Sequence, residues 1–221
     1  MAQDSLRQTF IDERYEGGID AFNKDISSEL SYTESAKENN YFTTAIVYLR
    51  INKDGKLEYI EVLNRLKYGL DKRIDSVFTK SKENWKVSEN GYAHFIAITF
   101  SLYDNYAKSI HINYPEIISE NILVTAYRNG EDSLVRQKVN YRSDFQRFEN
   151  GYDKNIRKEY YKKSKFYISK LIEMDPFYPE YYKGRLNIET YTKAYDYACN
   201  DLDILESIWN IRVKKMKVKC D

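Results

Sequence analysis

The chain is short of the residues that carry out chemistry. Its 221 residues hold two histidines, His94 and His111, and two cysteines, Cys199 and Cys220. No His-Glu-x-x-His pair, paired-Cys zinc spacing, phosphate-binding glycine loop or Gly-x-Ser-x-Gly elbow is present. His94 falls in a strand pattern and His111 in a connector, where a lone histidine is ordinarily a packing or surface residue rather than a base or ligand. The expectation is a protein that is not an enzyme, with no catalytic residue, cofactor or metal ligand to assign.

Net charge is lacking too. Lys and Arg number 35 against 34 Asp and Glu, a formal charge of +1, which removes the usual electrostatic argument for a nucleic-acid partner or an anionic membrane surface. A partner is then met through shape and backbone pairing. Long apolar runs are missing as well: none approaches the roughly 20 residues that a membrane helix needs, so no membrane span is expected in this chain.

The two cysteines could close a loop of about 20 residues, worth about 3 kcal/mol in the chain-entropy model. Two unpaired thiols are an equal alternative, because Cys199 lies in a helical pattern and Cys220 in a terminal tail. Met1-Ala2-Gln3-Asp4-Ser5 has no basic region followed by an apolar one. Ala-Gln-Asp is a common kind of mature start after cleavage of a signal peptide, and the expectation is a periplasmic or secreted protein.

Aromatic residues, in contrast, are plentiful. There are 22 tyrosines and 10 phenylalanines, many of the tyrosines beside Lys, Asn or Glu, which suits half-buried faces where the ring packs and the hydroxyl stays wet.

Along the chain, residues 1–14 are read as a flexible N-terminus. Gly17-Gly18 then opens a short amphipathic helix with Ile19, Phe22 and Ile26 at helical spacing. Thr33 caps a second brief helix to Asn39. Tyr41 to Ile51 is rich in β-branched and aromatic residues and alternates at Ala45, Val47, Leu49 and Ile51. After the Asn52-Lys53-Asp54-Gly55 turn, Leu57 to Leu63 returns as its partner, with Ile60 and Val62 inward and Glu58, Glu61 and Asn64 toward solvent.

Leu70, Ile74, Val77 and Phe78 stripe one face of a helix from Leu70 to Lys82, and Trp85 plugs the gap between that helix and the sheet. Past the Asn90-Gly91 turn, His94 to Leu102 is the third strand. Ile96, Ile98, Phe100 and Leu102 lie on one of its faces and Phe95, Ala97, Thr99 and Ser101 on the other.

Residues 104–154 read as a connector with one partial helix. Pro115 leads that helix through Ile117, Ile118, Ile122 and Leu123 toward Tyr127, and Asn129-Gly130 stops it. Glu131 to Asp153 is charged and weakly periodic, with Phe145 and Phe148 suggesting some packing. Asn155 to Met174, Pro179 to Thr190 and Lys193 to Ile208 are three further helices. Residues 213–221 form a basic, frayed tail.

The order from Tyr15 to Tyr103 resembles the C-terminal domain of TonB, a periplasmic protein that grips outer-membrane transporters. Tyr15-Glu16-Gly17-Gly18 stands where the family often has Phe-Pro-Gly-Gly. Ser31-Tyr32 to Asn39-Asn40 resembles its Tyr-Pro-x-x-Ala-x-x-x-Gly segment, with Ala36 in place, and Ile51 to Leu57 its Ile-Asp-x-Asp-Gly-x-Ile hairpin. Trp85-Lys86 takes the place of its Trp-x-Pro element. Thr33, Thr44 and Val87 depart from the pattern at positions where the family has Pro, Gly and Pro. Residues 155–212 resemble, more weakly, a tetratricopeptide helical hairpin, through Asp175-Pro176, Tyr181-Tyr182, Arg185 and Ala198-Cys199-Asn200-Asp201.

The resemblance implies an α+β fold, a three-stranded antiparallel sheet with two helices (TonB C-terminal-like) over residues 15–103, followed by an all-α helical-hairpin region. It further implies a non-catalytic cell-envelope interaction module that binds a peptide or partner, a segment of a TonB-dependent outer-membrane transporter in the family's own usage. Binding would be by strand addition to the last strand, at Phe95, Ala97, Thr99 and Ser101. A homodimer through the same edge is the competing use of it. The alternative is a periplasmic scaffold in which the helical half binds the partner and the TonB-like domain docks or dimerises. The membrane helix and Pro-rich spacer of an energy transducer are absent from these residues.

Overall fold

The Thr, Val and Ile content of residues 43–51 is realised as strand β1, Thr43–Ile51. It turns at Asn52, whose Oδ1 accepts the N–H groups of Asp54 and Lys56 at 3.0 Å each, and pairs with the antiparallel β2, Leu57–Val62. Gly55 sits at a left-handed φ of 74°, and a Cβ there would lie 2.1 Å from the Trp85 carbonyl oxygen. Any side chain would therefore meet both backbone strain and a backbone clash.

The computed structural model of the protein describes residues 11–102, 108, 110–126, 141–213 and 220. The expectations for residues 1–10, for the Asn129-Gly130 stop, for residues 131–140 and for most of the basic tail lie outside that range. The chain divides into two compact units, Met1–Asn105 with Glu116–Gln137 and Tyr106–Pro115 with Lys138–Asp221.

In the first unit α1, Gly18–Phe22, runs into a π-helical turn, Asn23–Ser27. The short α2, Glu34–Glu38, is capped by Thr33, whose Oγ1 accepts the Ala36 N–H at 3.2 Å. Helix α3, Leu70–Lys80, buries the stripe Leu70, Ile74, Val77 and Phe78 against the sheet residues Ala45, Val47, Leu49, Ile51, Ile96, Ile98 and Phe100. Each large apolar side chain removed from water contributes about 1.5–3 kcal/mol, and this seam is the unit's core. Trp85 closes one end, edge-on to Tyr15 at 5.0 Å and 6.1 Å from Phe22.

The sheet corrects the expectation of three antiparallel strands. Strand β3, Tyr92–Leu102, pairs antiparallel with β1 as expected. Residues 118–126, read from sequence as part of a Pro115-led helix, instead form β4, Ile118–Ala126, parallel to β3. The order is β2-β1-β3-β4, a mixed four-stranded sheet. Ile118, Ile122 and Val124 are buried. Their spacing of four and two fits a helix face and a strand face alike, and it is β pairing that satisfies the backbone.

In the second unit α4, Tyr141–Ile156, and α5, Tyr161–Met174, replace the single helix expected from Asn155 to Met174. The break comes at Glu159, which takes a left-handed φ of 56° while Tyr160 N–H bonds back to Asn155 O. Helix α6, Pro179–Thr192, starts on its proline as expected. The last helix, α7, Ala198–Trp209, begins five residues later than the Lys193 start read from sequence, because buried Glu189 accepts the Tyr197 N–H at 3.1 Å and holds the preceding residues in a turn. Cys199 and Cys220 are joined as a disulfide, which settles the alternative left open by the sequence.

Candidate functional site

Phe95, Ala97, Thr99 and Ser101 share one face of β3, as their alternation requires. The strand is interior: β1 pairs with one of its edges and β4 with the other, Ile98 being in register with both Ala45 and Ile122. Ala97, Thr99 and Ser101 are fully buried. Thr44 and Thr99 hydroxyls meet at 3.1 Å, and Thr99 Oγ1 lies 3.4 Å from Asn121 Oδ1, so these positions knit three strands together. The edge assigned to a partner strand is thus taken by the chain's own residues 118–126.

The strands at the rims are β2 and β4, and they differ. β2 has six residues, carries Glu58 and Glu61, and is irregular in register opposite Arg50 and Ile51. Its first N–H, on Leu57, already donates to Lys82 O at 2.7 Å. Charge, shortness and a bulge are the devices that blunt a rim against pairing. Beyond its end Asn64, expected in solvent, is buried and stands in for a strand: Oδ1 accepts the Ile46 N–H and Nδ2 donates to Thr44 O, each at 2.7 Å. β4 runs for nine residues with Glu120 its one ionisable side chain, and Leu123 and Thr125 are exposed on the face opposite Ile122 and Val124.

His94 is partly buried on β3, and burial together with the nearby Arg14 charge holds its pKa down at about 3. Among the described residues no group of three or more His, Cys, Asp or Glu side chains could hold a metal ion.

The helical unit carries its own polar interior and two grooves. Arg185 forms a two-point pair with Asp201, with Nε to Oδ2 at 2.8 Å and Nη2 to Oδ1 at 2.5 Å, and stacks over the Tyr197 ring at 4.3 Å. Lys165 bridges Glu189 and Asp196 at 2.7 Å each. These contacts fasten α5, α6 and the start of α7.

One groove, of about 780 Å³, is lined by Phe145, Glu149, Asp153, Asp175, Tyr178 and Tyr181 among others. Burial, with the Glu149 charge adding to it, pushes the Asp175 carboxyl up to about 6 despite the bond it accepts from Phe177 N–H. The other, of about 500 Å³, lies at the α4–α5 turn and is lined by lysines and aromatic rings. Sequence reasoning missed both, since the residues of the first are spread over three helices and Ile110 and those of the second over positions 151–167.

No family model matches the chain, and no curated protein matches it. Among solved structures, the NMR solution structure of the Helicobacter pylori TonB C-terminal domain is similar to part of it, at 20% identity and a TM-score of 0.33. That likeness covers 39% of this chain and 96% of the Helicobacter domain. It is weak and partial, and the tetratricopeptide resemblance of residues 155–212 has no counterpart in the comparisons.

Proposed function

We propose that this protein is a non-catalytic cell-envelope interaction module that takes up an extended segment of a partner protein along β4. The observation that carries the reading is the contrast between the two rims: β2 is short, charged and irregular, whereas β4 is nine residues long with a single ionisable side chain and exposed Leu123 and Thr125. A rim of that kind is a template for a further strand, with main-chain hydrogen bonds giving affinity and the flanking side chains selectivity. The envelope assignment rests on the Cys199–Cys220 disulfide, since disulfides persist in oxidising compartments.

Selection of a random peptide display library on the purified, oxidised protein tests it. Alternating, extended peptides are expected to be enriched and to lose binding to Leu123→Lys/Thr125→Lys, a variant whose circular dichroism stays that of the parent. Failure to enrich any peptide, or enrichment of peptides indifferent to both lysines, refutes the reading. A second reading, the helical unit as the partner-binding scaffold, is favoured by its acidic, tyrosine-walled groove. It predicts peptides rich in Lys and Arg whose binding is lost on Glu149→Gln/Asp153→Asn and unaffected by the β4 lysines.

A further inference from the structure

The near-neutral charge of the whole chain conceals a local imbalance. Helix α4 ends and α5 begins around a groove lined by Lys154, Lys158, Lys162 and Lys163 together with Tyr160 and Phe166. Lys154 lies in the last turn of α4 and Lys158 in the turn that follows it, while Lys162 and Phe166 are one helical turn apart on α5 and share a face. None of the four lysines takes part in an ion pair among the described residues. Asp153 and Glu159, the carboxylates of this stretch, do not line the groove.

Large aromatic rings are left in water at the same place. Tyr160 is 55% exposed and Phe166 56%. Tyr191, 74% exposed, extends the surface by stacking on Tyr161 with ring centroids 5.5 Å apart. The Lys163 ammonium lies 5.9 Å from the Tyr160 ring centre. Exposed apolar groups gathered in one place and rimmed by polar side chains mark an interaction or membrane surface.

We propose that the α4–α5 turn docks the protein peripherally on an anionic lipid surface, the four lysines meeting headgroup phosphates while Tyr160 and Phe166 enter the interfacial layer. Basic side chains near a negatively charged leaflet and amphipathic rings at headgroup depth are the two contributions that hold a protein on a membrane without crossing it. No described helix is long and apolar enough to cross. Charge complementarity alone would also admit nucleic acid, but the disulfide favours an oxidising compartment over the cytosolic and nuclear ones in which disulfides are rare. This inference is independent of strand pairing at β4, which involves other residues.

Co-sedimentation of the full oxidised chain with phosphatidylglycerol/phosphatidylcholine vesicles, and with phosphatidylcholine alone, is the test. Binding is expected to the anionic vesicles only and to weaken as salt is raised. Lys158→Gln/Lys162→Gln should lower partitioning by about tenfold or more, and Tyr160→Ser/Phe166→Ser should abolish the part that survives high salt. All four are exposed residues, and unchanged circular dichroism checks that the variants fold. Equal binding to both vesicles, no binding to the anionic ones, indifference to the lysine pair, or release by millimolar inorganic phosphate at constant ionic strength would overturn the proposal. Tighter binding to a DNA oligonucleotide than to the vesicles would do so too.

Discussion

Ile98 of β3 and Ile122 of β4 are register partners in a parallel ladder, and both are buried. That single pairing makes β3 an interior strand and moves the sheet's rim outward by one strand. Ile122→Ala is expected to destabilise the first unit by about 2–5 kcal/mol, the range for truncating a buried Ile. Leu123→Ala, one residue along and exposed, should stay within about 0.5 kcal/mol. Urea titration of the two variants measures the difference; an Ile122→Ala protein as stable as its parent would mean that β4 does not pack there.

Asn64 supplies the bonds that β2 is too short to give. Replacing it by Ala leaves the Ile46 N–H and the Thr44 carbonyl buried without their partner, at about 1–3 kcal/mol for each unsatisfied group. Hydrogen exchange reads this directly. The Ile46 amide should lose protection in Asn64→Ala, and partly recover it in Asn64→Asp, which keeps the acceptor and lacks the donor. Protection equal to the parent's in Asn64→Ala would contradict the assignment.

In the helical unit the Arg185–Asp201 pair is buried on both sides. Removing one member strands a charge and should cost about 3–5 kcal/mol, whereas Arg185→Met/Asp201→Leu removes both and should recover most of the loss. A thermal or denaturant double-mutant cycle tests this. Additive single and double effects would show that the pair is not coupled.

The residues that announced themselves in the sequence are those whose local pattern and tertiary role agree. The Asp54-Gly55 turn, the Leu70-Ile74-Val77-Phe78 stripe and the alternation of Ile96, Ile98 and Phe100 all formed the elements their spacing required. Ile118, Ile122 and Val124 did not, because a short apolar run fits two periods and only a non-local partner, β3, decides between them. The α4–α5 break was hidden for a similar reason: residues 155–174 are helical in pattern throughout, and the turn depends on Tyr160 closing back on Asn155. Asn64 looked like a solvent residue because its two backbone partners lie 18 and 20 positions away. The candidate site at β3 was misplaced by the same non-local pairing that hid β4.

The two units should respond to acid in opposite directions. His94 in the first unit has its folded pKa lowered to about 3 from an ordinary 6.5. As pH falls through that window the unfolded chain binds the proton first, so the unit's stability declines from pH 6.5 toward 3. Asp175 in the second unit has its folded pKa raised to about 6 from 3.8. There the folded state binds the proton first, so stability climbs as pH falls from 6 toward 3.8. Each slope is at most about 1.4 kcal/mol per pH unit. Trp85 lies in the first unit and Trp209, against Tyr182, in the second, so fluorescence of Trp209→Phe and Trp85→Phe variants follows the two separately. The Trp85 midpoint in urea should fall with acidification and the Trp209 midpoint should rise. His94→Gln should flatten the first trend and Asp175→Asn the second, the latter also raising the pH 7 midpoint by relieving the buried charge. Parallel trends in the two reporters, or trends untouched by these substitutions, would refute the assignment of acid response to His94 and Asp175.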